Sequence, residues 1–326
     1  MSACILTFPK PGWKRIRSGS WAVWAVWVCA AAVGLGGCKR GGQPEASHVS
    51  IPPFDGAAAF QECSAFVNLG PKPAGTLEAR RAADYLLQRM AAVGMEARID
   101  AFDDAVPGGT GTFRNVIGRI PGDTNRLILV AAHYDTKTGI SAEFSGANDS
   151  GSGVGVLLGV MRALAGKRRA GEPEIRAIFL DGEECRREYG PVDGLHGSRR
   201  LARQLVESGE ARKVKGFLLL DMVGDRDLTI TLPRNGTPEL MTAVFDAARA
   251  EGVRDRFSLY ESGILDDHQP FLDAGMPAVD LIDFRYGATP GGNEFWHTPA
   301  DTLDKLDAAS LEAVGRVVMR VIVMMN

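Results

Sequence analysis

Apolar positions along this chain alternate between short β-rich runs and longer stretches with helical spacing. Runs at 114–120, 127–132, 175–180, 217–220 and 278–282 have the length and β-branched character of buried strands. Between and after them, 154–164, 198–206, 238–251, 269–274 and 308–325 read as helices. Ahead of the first run, 57–69 reads as a helix and Pro71-Lys72-Pro73-Ala74-Gly75 as a turn. Thr76 then caps a second helix, with Leu77, Ala83, Leu86, Leu87 and Met90 on one stripe and Gly94 at its end. Such alternation implies an α/β fold, a three-layer sandwich with a mixed, mostly parallel central sheet flanked by helices.

The first residues follow another pattern. Lys10, Lys14, Arg15 and Arg17 precede an apolar run at 21–33, closed by Gly34, Gly36 and Gly37. The run is shorter than the roughly 20 residues of a spanning helix, and its order of charge, apolar run and small residues is that of an export signal over 1–37. Leu35-Gly36-Gly37-Cys38 resembles a bacterial lipobox, in which Cys38 becomes the lipidated N-terminus. Residues 38–53, rich in Gly, Pro, Ser and Gln, read as a tether, and 54–326 as a single catalytic domain. The expected location is the bacterial cell envelope, on the periplasmic side or the cell surface, with the lipid anchor as the membrane contact. A signal cut elsewhere or left as an anchor also exports the body.

With 45% hydrophobic and 24% charged residues among 326, the chain has the balance of an ordinary globular protein. A formal net charge of -3 gives no basic footprint, so nucleic acid is not an expected partner. Of five cysteines, Cys4 and Cys29 leave with the signal and Cys38 carries lipid. Cys63 and Cys185 remain, to pair or to stand as two buried thiols, and no CxxC spacing offers a metal set.

Polar residues cluster just after the strand runs. His133 and Asp135 follow 127–132, Asp181, Glu183 and Glu184 follow 175–180, and Asp221 follows 217–220. Ligands of open α/β sheets gather beyond the carboxyl ends of the strands, so these clusters are expected to converge on one crevice. Asp149, in the Gly-rich stretch 146–153, and His297, in Phe295-Trp296-His297-Thr298-Pro299, add a carboxylate and an imidazole. Nitrogen and oxygen donors without cysteine suit zinc with an open coordination place. Of the adjacent Glu183 and Glu184, one can bind metal while the other serves as acid or base. The glycines at 151–155 lack the Lys-Ser/Thr of a phosphate loop and read as tight helix packing. Ser152 lacks the strand-to-helix elbow of a serine hydrolase.

In order, His133-Tyr134-Asp135, the stretch around Asp149, Glu183-Glu184, Leu220-Asp221-Met222, Asp267-His268 and His297-Thr298 resemble the motifs of metallopeptidase family 28. That family holds zinc aminopeptidases and the animal-type glutaminyl cyclases, acting on peptides or proteins with a free N-terminus. The resemblance implies Asp149, Glu184 and His297 as ligands of one zinc and Glu183 as the acid-base residue. In two-metal members Asp149 bridges, and His133 and Asp221 complete a second site. The unbroken Asp181-Gly182-Glu183-Glu184 with Tyr189 behind it, Asp266 ahead of Asp267-His268, and Trp296 before His297 look like the cyclase branch. By it Asp266 and Asp221 join Glu183 as catalytic residues, and Trp296, Tyr189, Asp267 and His268 line the substrate pocket. The Gly-rich stretch around Asp149, and Asp280 where animal cyclases have His, point toward the aminopeptidases instead. A non-catalytic binding module would be marked by lost ligands, and every ligand position here is filled.

Overall fold

A computed structural model describes residues 50–166, 170–289 and 291–326. The signal at 1–37, Cys38 and the tether up to residue 49 lie outside the described residues. Two helices come first, α1 (Gly56–Val67) and α2 (Leu77–Ala92), each started by a side chain that accepts from the third residue onward: Asp55 from Ala58 N and Thr76 from Ala79 N. Gly94, at φ 80°, lets the chain turn out of α2. The hairpin of β1 (Glu96–Val106) and β2 (Gly109–Ile120) follows, and then β3 (Leu127–His133), α3 (Gly153–Leu164), β4 (Glu174–Leu180), α4 (His196–Glu207) and β5 (Val214–Asp221). The chain continues through β6 (Ile230–Leu232), α5 (Pro238–Ala250), β7 (Phe257–Leu259), α6 (Gln269–Asp273), β8 (Ala278–Ile282) and α7 (Ala308–Met324).

The main sheet has the order β1-β2-β4-β3-β5-β8. The pairs β4-β3, β3-β5 and β5-β8 are parallel, whereas β1-β2 and β2-β4 are antiparallel. This is the expected mixed, mostly parallel sheet. Every residue of β3 is buried, because successive side chains enter opposite layers. Ile128, Val130 and Ala132 pack into the larger core with α1, α2, α3, α5 and α7, while Leu127, Leu129 and Ala131 pack into the smaller one with α4 and α6.

Three elements carry too weak an apolar signal to be read from sequence. β1 is an edge strand with only its last residue fully buried, so it needs no apolar run. β6 and β7 are three residues each and pair as a small parallel sheet. The α2 stripe is also shifted: Leu77 is 54% exposed, and the buried face is Ala79, Ala82, Ala83, Leu86 and Met90. Ile51, expected in the tether, packs against the larger core, so the folded body includes residues ahead of Phe54. Cys63 and Cys185 are both buried and free.

α1 crosses α3 closely enough that a side chain cannot stand between them. A Cβ at Gly155 would lie 2.6 Å from Ala59 O and 2.7 Å from Cys63 Cβ. Gly155→Ala is therefore expected to destabilise the fold by about 1–3 kcal/mol through overpacking. Gly109→Ala, with nothing within 4 Å, should change stability by less than about 0.5 kcal/mol. Urea unfolding of both variants checks this, and equal midpoints would show that the helices can separate at no cost.

Candidate active site

Sheet order brings the chemistry together. β4, β3 and β5 are neighbours and parallel, so their carboxyl ends open on one side. His133 ends β3, Glu183 and Glu184 follow β4, and Asp221 ends β5. Asp149 arrives on the irregular turn at Ala147–Ser152 that leads into α3, and His297 on the loop ahead of α7. His297 Nε2 is 3.0 Å from Glu184 Oε1 and 3.3 Å from Asp149 Oδ2. On the far side of the same carboxylate, His133 Nε2 is 3.1 Å from Asp149 Oδ1 and 3.3 Å from Asp221 Oδ1. Asp149 thus stands between two imidazoles, one oxygen toward each.

Backbone amides fix this arrangement. Asp135 is fully buried and accepts from three consecutive backbone N–H groups, those of Gly182 and Glu183 at Oδ1 (3.0 and 3.1 Å) and of Glu184 at Oδ2 (3.2 Å). It ties the turn after β4 to the loop after β3. Asp301 does the same for the other loop: its oxygens accept from Asn148 N (2.7 Å) and Asp149 N (3.2 Å), and Tyr286 OH donates to it at 2.8 Å. Asn148 Oδ1 in turn accepts from Gly224 N at 2.8 Å, and Ser152 Oγ from Val223 N at 2.9 Å, which joins the Asp149 turn to the end of β5. Two non-glycine residues in the left-handed region sit at this site, His297 (φ 53°) and Met222 (φ 45°), directly after Asp221. Non-glycine residues are held there when surrounding contacts over-determine the backbone.

Among the protein groups alone, charge is unevenly placed. Burial opposes ionisation of Asp149, but hydrogen bonds from His133 and His297 outweigh it and hold its carboxyl well below the usual range. Burial likewise opposes charging of His297, yet Asp149 and Glu184 lift it to about 10. Glu183 is pushed the other way, well above the usual range, by burial first and then by the charges of Glu184 and Asp266. Tyr189 OH donates to Glu183 Oε1 at 2.8 Å. Behind it, Asp266 Oδ2 and both oxygens of Asp280 meet no donor while both groups are ionised. Burial, followed by neighbouring negative charge, raises both strongly, so one holds a proton and can donate it to the other.

The structure brings Asp149, Glu184 and His297 together as one group, and His133, Asp149 and Asp221 as another, with ligand atoms in each within 4.8 Å of one another. Carboxylate oxygens and imidazole nitrogens converging on one point are the donor set of a catalytic zinc. Glu183, Tyr189 and Asp266 stand beside them, and Trp296, half-buried, stacks on the His297 ring with centroids 4.1 Å apart. Asp267 and His268, expected at the pocket wall, are fully buried, and His268 lies among Asp266 and Asp280 behind the site. Burial lowers His268 to about 3, so it brings no positive charge there. Asp135 and Asp301 hold the ligand loops without touching the ligand point, and no spacing in the sequence marks that task. A cavity of about 400 Å³, lined by Ile51, Ile120, Leu164, Ile175 and Val323 among others, contains none of these groups.

The family model of peptidase family M28 matches residues 115–322. A glutaminyl-peptide cyclotransferase-like protein of Bos taurus is 31% identical over 276 residues, covering 76% of this chain and 69% of its own. The crystal structure of an Acidobacteriales bacterium glutaminyl cyclase superposes with a TM-score of 0.79 at 32% identity, over 87% of this chain and 99% of that one. A leucine aminopeptidase precursor from Bacteroides thetaiotaomicron is similar too, with a TM-score of 0.74 at 27% identity, over 84% of this chain and 98% of that one.

A ligating imidazole must be neutral, and here the protein groups keep His297 protonated up to a pH of about 10. Metal binding therefore releases a proton at neutral pH. Zinc affinity is expected to rise with pH between 6 and 8, by roughly tenfold per pH unit for each proton displaced. Titration calorimetry in buffers of different ionisation enthalpy checks it; binding without proton release would show that His297 is not displaced from its carboxylates.

Proposed function

The chain belongs to peptidase family M28, and on that footing we propose that it is a zinc-dependent glutaminyl-peptide cyclotransferase, converting an N-terminal glutamine to pyroglutamate with release of ammonia. The observation that carries this reading is Asp266, which is fully buried and whose charge adds to burial and Glu184 in raising the pKa of Glu183, at the position where the aminopeptidase branch tends to have Ser. Similarity at about one third identity to a bacterial glutaminyl cyclase, over nearly that protein's whole length, supports it.

Asp149, Glu184 and His297 are the residues that would hold the zinc. Bound there, zinc supplies Lewis acidity toward the γ-carbonyl of the glutamine side chain. Glu183 accepts a proton from the attacking α-amine and delivers it to the departing nitrogen, with Tyr189 OH steadying Oε1. The new bond joins the α-nitrogen to the side-chain carbonyl carbon, the bond from that carbon to the amide nitrogen breaks, and ammonia leaves; no water is consumed. Asp266, with Asp221 beside it, holds the amide in line for attack, so orientation does much of the work. Trp296 provides an apolar wall for the glutamine side chain. One observation favours the aminopeptidase reading: His133, Asp149 and Asp221 form a second ligand group. In that reaction Glu183 would take its proton from the attacking water instead.

A paired assay separates the two, following ammonia from a glutamine-headed peptide and free leucine from a leucine-headed one. Ammonia without leucine is expected. Glu183→Gln should lower turnover by about 10²–10⁴-fold with zinc content unchanged, and Asp266→Ser should depress ammonia release strongly. Leucine release without pyroglutamate would sink the cyclase reading.

We also propose that Cys38 is lipidated after removal of 1–37 and that the tether holds the body at the cell envelope. The basic residues before the apolar run 21–33 and the Leu35-Gly36-Gly37-Cys38 string support this. Among the described residues no helix is long and apolar enough to cross a membrane. Cys38→Ser should move the protein from the membrane fraction to the soluble one with activity retained, and wild-type protein found in the cytoplasm would refute anchor and signal together.

A further inference from the structure

Lys137 lies four residues beyond His133 on the loop leaving β3, with only 15% of its side chain exposed. Its Nζ forms an ion pair with Glu184 Oε2 at 3.1 Å. The other oxygen of that carboxylate, Oε1, is the one 3.0 Å from His297 Nε2. The ammonium is itself held in place: it donates to Cys185 O at 2.8 Å, contacts Cys185 Sγ at 3.1 Å, and sits 5.7 Å from the centroid of the Tyr189 ring. Tyr189 is the residue that donates to Glu183. One cation thus pairs with Glu184 and lies against the ring of the tyrosine that holds Glu183.

A carboxylate can ligate through one oxygen or both, and catalytic zinc needs three protein ligands with a place left open. If both Glu184 oxygens turned to the metal, that place would be filled. We propose that Lys137 is a positioning residue that occupies Glu184 Oε2, restricts Glu184 to Oε1 as its ligating atom, and so keeps a coordination place for substrate. This rests on the zinc reading of the site. By the same ion pair Lys137 draws negative charge away from the metal side of Glu184, which leaves the metal a stronger Lewis acid.

The test compares wild type, K137M and K137R, each loaded with zinc or with cobalt(II), whose visible absorption weakens as coordination number rises. Zinc affinity is read by chelator competition. In K137M the cobalt absorption should weaken and kcat for a glutamine-headed peptide should fall about 10- to 100-fold, with KM little changed; K137R should restore most of both. An unchanged cobalt spectrum and kcat in K137M, or an Arg variant no better than Met, would overturn the proposal. If K137M does not fold, the same readings on K137Q decide the matter. Wild type that binds neither metal would bring down the zinc reading itself, whereas metal-binding wild type matched by K137M removes the role of Lys137 alone.

Discussion

Carboxylates kept out of water repel one another, and each costs several kcal/mol of lost hydration unless something positive or a hydrogen-bond donor answers it. Asp135, Asp149, Glu183, Glu184, Asp221, Asp266, Asp267 and Asp280 are all buried at one end of the sheet. His133, His297 and Lys137 are the cationic side chains in direct contact with members of this group. The remaining charge has three ways to be met: backbone amides, protons retained on carboxyls, and a bound metal. Each is assigned to particular residues, and that assignment separates the residues that position from those that react.

Amides serve the residues that hold the ligand loops fixed. Asp135 takes three backbone N–H groups, and the turn it holds carries Glu183 and Glu184 side by side. Asp301 takes two and holds Asp149. Protons serve Asp266 and Asp280, whose pKa values burial raises strongly. Burial raises Glu183 as well, and a carboxyl lifted above the usual range is the one suited to accept and return a proton. The ligand carboxylates, by contrast, face imidazoles across about 3 Å, the arrangement that a divalent ion would replace.

Much of this was legible in the chain because parallel strands announce themselves. The runs at 127–132, 175–180 and 217–220 gave β3, β4 and β5 nearly to their ends, and polar residues placed directly after them had to meet at the carboxyl edge. Gly151 to Gly155 were rightly read as packing glycines, since Gly153 and Gly155 allow close approach to Leu220 O and Ala59 O. What escaped has a common physical cause. β1 lies at an edge, where one unburied face removes the apolar signal. Asp135 and Asp301 act on backbone N–H groups distant in sequence, which no spacing reveals. Asp266, Asp267 and His268 are all buried ahead of α6, and the grouping of Asp266 and His268 with Asp280, which lies on β8, depends on a strand contact that their spacing does not show.

The number of metals turns on Asp221. It belongs to the second ligand group through His133, but burial raises its pKa, with the hydrogen bond to His133 opposing that rise. A proton and a second zinc are alternative ways of neutralising the same carboxyl. Asp266 shifts the balance: its pKa is raised by burial and then by Asp221, so a proton held at Asp266 lowers the negative charge that would otherwise attract another cation. An ionised Asp266 would add to the charge that draws a second cation, whereas a Ser there would be neutral throughout. On the cyclase reading, then, it is the proton that burial and Asp221 keep on Asp266 that leaves the space to the substrate amide, and the same carboxyl supplies the group that holds that amide.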